Sequence, residues 1–189
     1  IGFHFDGPTE IGGLVVDPRE RGGAALPGKP LSLVRFLYMA TFPDRFRDTV
    51  LAELMPPLAK DGKSLFWESF GRRFTGLDYQ DADKLSRRGK EFIQQLFPAG
   101  EFFATLLPPR VQRALGKVGR GTEPARRMLA RIGFRYVDRI DPFDGGPHYE
   151  AKLAEVSVVR GHRRLEVATE PLEAGRRDPE VLAGVVRTA

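Results

Sequence analysis

The sequence predicts an α+β (mixed α/β) fold, with short strands and amphipathic helices interleaved along the chain. Three stretches carry that prediction. Residues 10–40 read as an apolar strand, a Gly-rich loop opened by arginines, and an amphipathic helix. Residues 61–121 are helix-rich, punctuated by Pro98-Ala99-Gly100 and Leu107-Pro108-Pro109. Residues 134–159 return to strand patterning on either side of a Phe-Asp-Gly-Gly-Pro turn.

Each element has a local reason. Residues 3–5 read as a strand end closed by the turn Asp6-Gly7-Pro8. Residues 11–16 are apolar and β-branched between turn residues, as a buried strand requires. Gly12 and Gly13 inside that run mark a bulge or the close approach of a ligand. Asp17-Pro18 ends it, and Leu33, Val34, Leu37 and Ala40 then recur at helical spacing. Residues 48–55 form the next strand, stopped by Pro56-Pro57, and helical segments fall near 65–74, 89–97 and 109–115. The clearest helix follows. Thr122 is placed to cap it, Pro124 suits its first turn, Ala125, Met128, Leu129 and Ile132 line one face, and Gly133 ends it. Residues 134–140 and 149–159 are the closing strands, the second with alternating polarity. From Thr169 the composition turns polar and weakly patterned.

Composition narrows the chemistry. The 189 residues contain no cysteine, which excludes disulfides, thiolate catalysis and cysteine metal sites. The histidines His4, His148 and His162 are too far apart in sequence for a metal-ligand motif, so no metal is expected. No apolar run approaches a membrane span and no signal peptide is evident, which points to a cytoplasmic protein. The net charge is +5 and the pI about 9.7. The basic residues fall in pairs such as Arg72-Arg73, Arg87-Arg88 and Arg126-Arg127, read either as solvated helix faces or as attraction for a polyanion. The phenylalanines sit at core-like positions rather than among these pairs, which argues against nucleic acid; a phosphorylated small molecule would use the same positive field.

The loop at 19–28 suits that anion. Glycines let backbone amides approach a pyrophosphate, the following helix supplies its positive end, and Arg19 and Arg21 add charge. A plain strand-to-helix connection has the same elements. Gly28-Lys29 is followed by Pro30, so this is not a nucleoside triphosphate loop, and it does not fit Gly-x-Gly-x-x-Gly.

A longer series of motifs is more specific: Val-Asp-Pro at 16–18, Leu-Ser-Leu-Val-Arg-Phe at 31–36, Ala-Glu at 52–53, Phe-Trp-Glu-Ser-Phe-Gly-Arg-Arg-Phe at 66–74, Lys-Glu-Phe-Ile at 90–93, and Gly-Phe-Arg-Tyr with Phe-Asp-Gly-Gly-Pro within 133–147. Over residues 6–168 the chain resembles the arginine N-succinyltransferases of the GNAT acyltransferase superfamily. The resemblance implies a central mixed sheet flanked by helices, with a helical insertion at about 61–121. It implies an acyl-CoA-binding domain over 1–168, then a linker or the start of a further C-terminal region at 169–189. Family proteins are longer at both ends, so the first strands of the fold are expected to precede Ile1.

The activity implied is succinyl transfer from succinyl-CoA, as acyl-donor substrate, to the α-amine of L-arginine in arginine catabolism, with no permanently bound cofactor. By the same resemblance, Leu14, Val15 and Val16 would meet the CoA arm. Arg19, Arg21, Gly22, Gly23 and Gly28 would receive the pyrophosphate. Glu53, Glu68 and Asp144 are candidate carboxylates for the substrate guanidinium, and Arg72 or Arg73 for the distal succinyl carboxylate. The family's proton-donor histidine falls where this chain has Gly119, and His148 is the nearest replacement. The family also uses paired, diverged subunits, which implies a homo- or hetero-oligomer with a paralogous subunit. A non-catalytic CoA-binding subunit, an acyltransferase with another amine acceptor, and a regulatory module without chemistry stand beside the enzyme reading.

Overall fold

In the computed structural model, which describes residues 6–21, 27–98 and 100–164, one mixed sheet is built from β1 (Thr9–Glu10), β2 (Thr49–Glu53), β3 (Arg135–Ile140) and β4 (Pro147–Lys152). The strand order is β1-β2-β4-β3, with β1 parallel to β2 and the other pairings antiparallel. The apolar centre of β2 (Val50, Leu51, Ala52) is buried on both sides, because helical layers cover both faces of the sheet.

On one face lie α1 (Gly28–Thr41), α7 (Glu123–Arg131) and α8 (Ser157–Arg160). Val50, Ala52 and Ala151 from the strands share a core there with Phe36, Met39, Leu129 and Phe134. Over the other face sit α2 (Leu65–Ser69), α3 (Gly71–Thr75), α4 (Tyr79–Ser86), α5 (Glu91–Leu96) and α6 (Pro109–Ala114). These short helices carry their own core around Trp67, with Phe70, Ile93, Phe97, Val111 and Phe143. Trp67 is fully buried, and its indole N–H donates to the Leu77 carbonyl at 3.0 Å, which satisfies its one polar atom.

The structure departs from the sequence reading at several places. The strand expected at 11–16 is instead Thr9–Glu10, with one further bond from the Ile11 N–H to the Leu51 carbonyl. Gly13 then takes φ 66°, and the chain turns away with Val15 exposed, so the apolar run has no neighbour strand. The closing strand stops at Lys152 rather than 159. Residues Leu153–Glu155 turn into α8, whose register follows the packing of Val156 and Leu153 in the first core. In α1 the most buried positions are Ser32, Phe36 and Met39, one position off the expected stripe, and Val34 is exposed. Thr122 precedes α7 without a side-chain capping bond. Helix α4 was missed because its composition is strongly polar. The strand end at 3–5 and the tail at 169–189 lie outside the described residues.

No helix among the described residues is long and apolar enough to cross a membrane.

Candidate functional site

Strand alternation decides what the second face of the sheet presents. Directly opposed residues point the same way, and the register pairs Glu10 with Leu51, Leu51 with Glu150 and Glu53 with His148. One face therefore carries Glu10, Leu51, Glu53, His148 and Glu150. The layer of α2 to α6 lies over them without filling the gap. A cavity of about 950 Å³ remains, with Glu10, His148 and Glu150 on its floor and Phe66, Phe70 and Phe102 in its wall.

At the centre of this face, His148 Nε2 lies 3.2 Å from Glu53 Oε1. The approach is not an aligned hydrogen bond, and Nε2, although buried, has no hydrogen-bond partner among the described residues. Burial works to raise the Glu53 carboxyl, but the contact with His148 and the field of Lys90 outweigh it and hold the group below its ordinary value. Glu150 is ion-paired to Arg139 at 2.9 Å.

Two further half-buried carboxyls lie near this pair on the turn after β3. Asp141 accepts from the Phe143 N–H at 2.8 Å, and Asp144 Oδ1 accepts from the Gly146 N–H at 2.7 Å. The bend needs Gly145 at φ 81°, where a Cβ would also press on Phe66. Burial, aided by the neighbouring Asp141, raises the Asp144 carboxyl to about 7. Burial together with Glu53 raises Asp141. Lys90 is the compensating cation: burial lowers its pKa, but Asp141, Glu53 and Glu10 more than reverse that. Tyr79 is pushed up to about 12 by burial and by Asp144.

The sequence-derived site residues separate into distinct places. His148 and Glu53 meet; Asp144 lies near them. Glu68 is committed elsewhere, bound to Arg72 at 2.6 Å and to the Tyr79 N–H at 3.0 Å, so both it and Arg72 serve the insertion's own framework. Leu14, Val15 and Val16 lie on the extended segment that leaves the sheet, with Leu14 and Val15 exposed. Arg19 folds back onto Asp17 at 2.9 Å, and the Arg21 side chain donates to the Val16 carbonyl at 2.8 Å. Gly28 opens α1 with its Cα side 3.5 Å from Val16, measured from where a Cβ would stand. Gly22 and Gly23 lie outside the described residues. Of the paired arginines, Arg87 and Arg126 each meet a carboxylate on their own helix, in line with solvated helix faces.

Gly119 has a steric reason to be glycine. Its N–H donates to the Met55 carbonyl at 2.8 Å, and an added Cβ would stand 2.6 Å from the Pro56 carbonyl oxygen. Backbone meets backbone here, so no side chain fits without displacing the segment that follows β2 from the one that precedes α7. Sequence reasoning missed Asp141, Lys90, Glu10 and Glu150; the available signal was that Lys90 opens the motif at 90–93 and Asp141 lies within the motif stretch 133–147.

Comparison with known proteins places this geometry. The family model described as arginine N-succinyltransferase beta subunit matches residues 1–158. Arginine N-succinyltransferase of Escherichia coli O1:K1 / APEC is 40% identical over 165 residues, covering 86% of this chain and 47% of that protein. The enzyme of the same name from Enterobacter sp. (strain 638) is 39% identical over the same length, with the same coverage of each chain. Among solved structures, arginine/ornithine succinyltransferase subunit AI from Pseudomonas aeruginosa superposes with a TM-score of 0.62 at 31% identity, over 72% of this chain and 39% of that one. The chain thus spans about half the length of the curated relatives it matches. That superposition bears out the mixed sheet and helices read from the sequence. On the extent and identity of these matches, the chain belongs to the arginine N-succinyltransferase family.

Proposed function

We propose that this chain supplies the acyl-CoA and acceptor-facing part of an arginine N-succinyltransferase, which moves a succinyl group from succinyl-CoA to the α-amine of L-arginine. The observation that carries this reading is identity of 40% to proteins of that name, sustained over 165 residues. The CoA arm would run along Leu14, Val15 and Val16, with its pyrophosphate received by Arg19, Arg21, Gly22, Gly23 and Gly28 at the entrance to α1. In the transfer the amine nitrogen attacks the thioester carbonyl carbon, the carbon–sulfur bond breaks, and the thiolate leaves. A protonated His148, held by Glu53, gives its proton to the thiolate and regains one from the newly formed ammonium. Asp144 and Glu53 contribute negative potential on the acceptor side. Succinyl-CoA is a substrate in this scheme and nothing stays bound between turnovers; the enzyme works in the cytoplasm, as one of a pair of related subunits.

One observation favours a second reading. The family's proton-donor position is Gly119, and its packing against Pro56 leaves no room for a donor side chain. The chain would then be a diverged CoA-binding subunit.

Titration calorimetry of the full-length protein with succinyl-CoA, followed by a thiol-release assay on adding L-arginine, separates the two. The enzyme reading expects binding and arginine-dependent thiol release, with His148→Ala lowering kcat about 100-fold or more while CoA binding persists. Binding without release supports the diverged subunit. Absence of CoA binding sinks both. Gly119→His is expected to destabilise the protein and not to raise turnover.

A further inference from the structure

The cavity beneath the helical insertion has a charge that runs against the rest of the molecule. The chain as a whole carries +5. Yet the carboxylates Glu10, Glu101 and Glu150 reach this cavity, against Arg139 and His148. Arg139 is spent on Glu150, and His148 faces Glu53. Glu10 and Glu101 are left with no cation within ion-pair distance among the described residues, Glu10 being felt by Lys90 only through its field. The volume falls within the range of about 300–1,000 Å³ usual for small-molecule sites.

The remaining wall is aromatic. Phe66 stacks on Phe70 with ring centroids 5.2 Å apart, Phe102 meets Phe70 edge-on at 4.7 Å, and Phe103 stands at the mouth, 74% exposed. Two carboxylates without an ion-pair partner, in a lining that also holds the exposed rings of Phe102 and Phe103, suit a flat organic cation: a guanidinium can stack on a ring and donate to the oxygens. Beside Glu10 and Glu101 the lining favours a cationic acceptor side chain, while the thioester of the donor would approach His148.

We infer that this cavity is the subsite for the guanidinium side chain of the amine acceptor, with Glu10 and Glu101 as its specificity-determining carboxylates. The inference rests on the acyltransferase reading for the identity of the acceptor, and it replaces Glu53, Glu68 and Asp144 in that role. Glu53 is taken up by His148, Glu68 by Arg72, and Asp144 by the Gly146 amide. Glu10 and Glu101 are both exposed at this cavity, where two carboxylates hold a guanidinium better than one.

The test is titration calorimetry on the full-length protein, with and without saturating coenzyme A. The probes are L-arginine and L-citrulline, which replaces the guanidinium by a neutral urea of nearly the same shape. Wild type is expected to bind arginine and to bind citrulline at least tenfold more weakly. Glu10→Gln and Glu101→Gln are each expected to weaken arginine binding about tenfold or more, while leaving citrulline and coenzyme A unchanged. Equal arginine affinity in wild type and both variants overturns the inference, as does equal affinity of wild type for arginine and citrulline, or no arginine binding at all. Thiol release from succinyl-CoA, measured in parallel, reports separately on the acyltransferase reading. Turnover with arginine that is indifferent to both variants would leave that reading standing and remove only this subsite.

Discussion

The two faces of β2 and β4 are built from alternate residues of the same two strands, yet they do opposite jobs. One face carries Val50, Ala52 and Ala151 into an apolar core closed by α1 and α7. The other carries Leu51, Glu53, His148 and Glu150 toward a layer that stops short of them and leaves a cavity. The first face gains its stability from close packing. The second face burdens the fold with buried charge, and the cost is offset by the insertion's own core. A sheet that needs to hold ionisable groups out of water can thus do so only if the covering layer is stable without contacting them.

That comparison breaks most sharply at Trp67. It is fully buried, and three aromatic rings (Phe92, Phe97 and Phe143) surround it with centroids at 6.2, 5.8 and 4.8 Å. Trp67→Ala is expected to cost about 3–5 kcal/mol by denaturant titration. If the insertion is an independent cover, the loss should expose the charged face first, so amide exchange at His148 and Glu150 should accelerate more than at Phe36 and Leu129. Uniform acceleration across both layers would mean that the two cores unfold as one unit.

The next effect is pH-dependent and belongs wholly to the charged side. The Asp144 carboxyl has a folded value of about 7 against an ordinary 3.8. Between those values the folded chain holds a proton that the unfolded chain has released, so this group lowers stability as pH rises from about 4 to about 7. Asp141 and Glu53 push in the same direction and Lys90 opposes them. Asp144→Asn keeps the acceptor for the Gly146 N–H and removes the charge. The variant should match wild type near pH 4 and exceed it by about 2–4 kcal/mol at pH 8. A constant difference across that range would show that Asp144 titrates normally.

The contrast between faces also explains what the sequence could reveal. The apolar periodicity of α7, the Pro56-Pro57 stop after β2 and the Trp67 segment were all legible, because each is decided by neighbours within a turn or two. The length of β1 was not, since the apolar residues 11–16 satisfy strand patterning while among them only Ile11 bonds to a neighbouring strand. The polar cavity was least legible. Glu10 and His148 come from opposite ends of the chain and share a face only through the register of β2 with both neighbours. Glu68 was favoured by its motif; its pairing with Arg72 is a local i,i+4 contact, but its bond to the Tyr79 N–H depends on how α2 meets α4.

The smallest effect concerns the joint between the layers. Ser64, fully buried, precedes α2, and its hydroxyl accepts from the Trp67 N–H at 3.0 Å while donating to the Asp144 carbonyl at 3.0 Å. It is both a helix cap and a tie between the insertion and the turn bearing the half-buried carboxyls. Ser64→Ala removes both bonds and should cost about 1–2 kcal/mol. Ser64→Gly distinguishes the roles. At a simple cap glycine loses only a few tenths of a kcal/mol relative to serine, because it relieves the backbone while water reaches the amide. Here the Asp144 carbonyl would remain unsatisfied in either variant, so glycine should be as costly as alanine. A glycine variant close to wild type in its denaturation midpoint would reduce Ser64 to a cap, and would leave the turn at 141–147 held by its own bonds, by the Gly116 N–H that donates to the Gly145 carbonyl, and by the strands it joins.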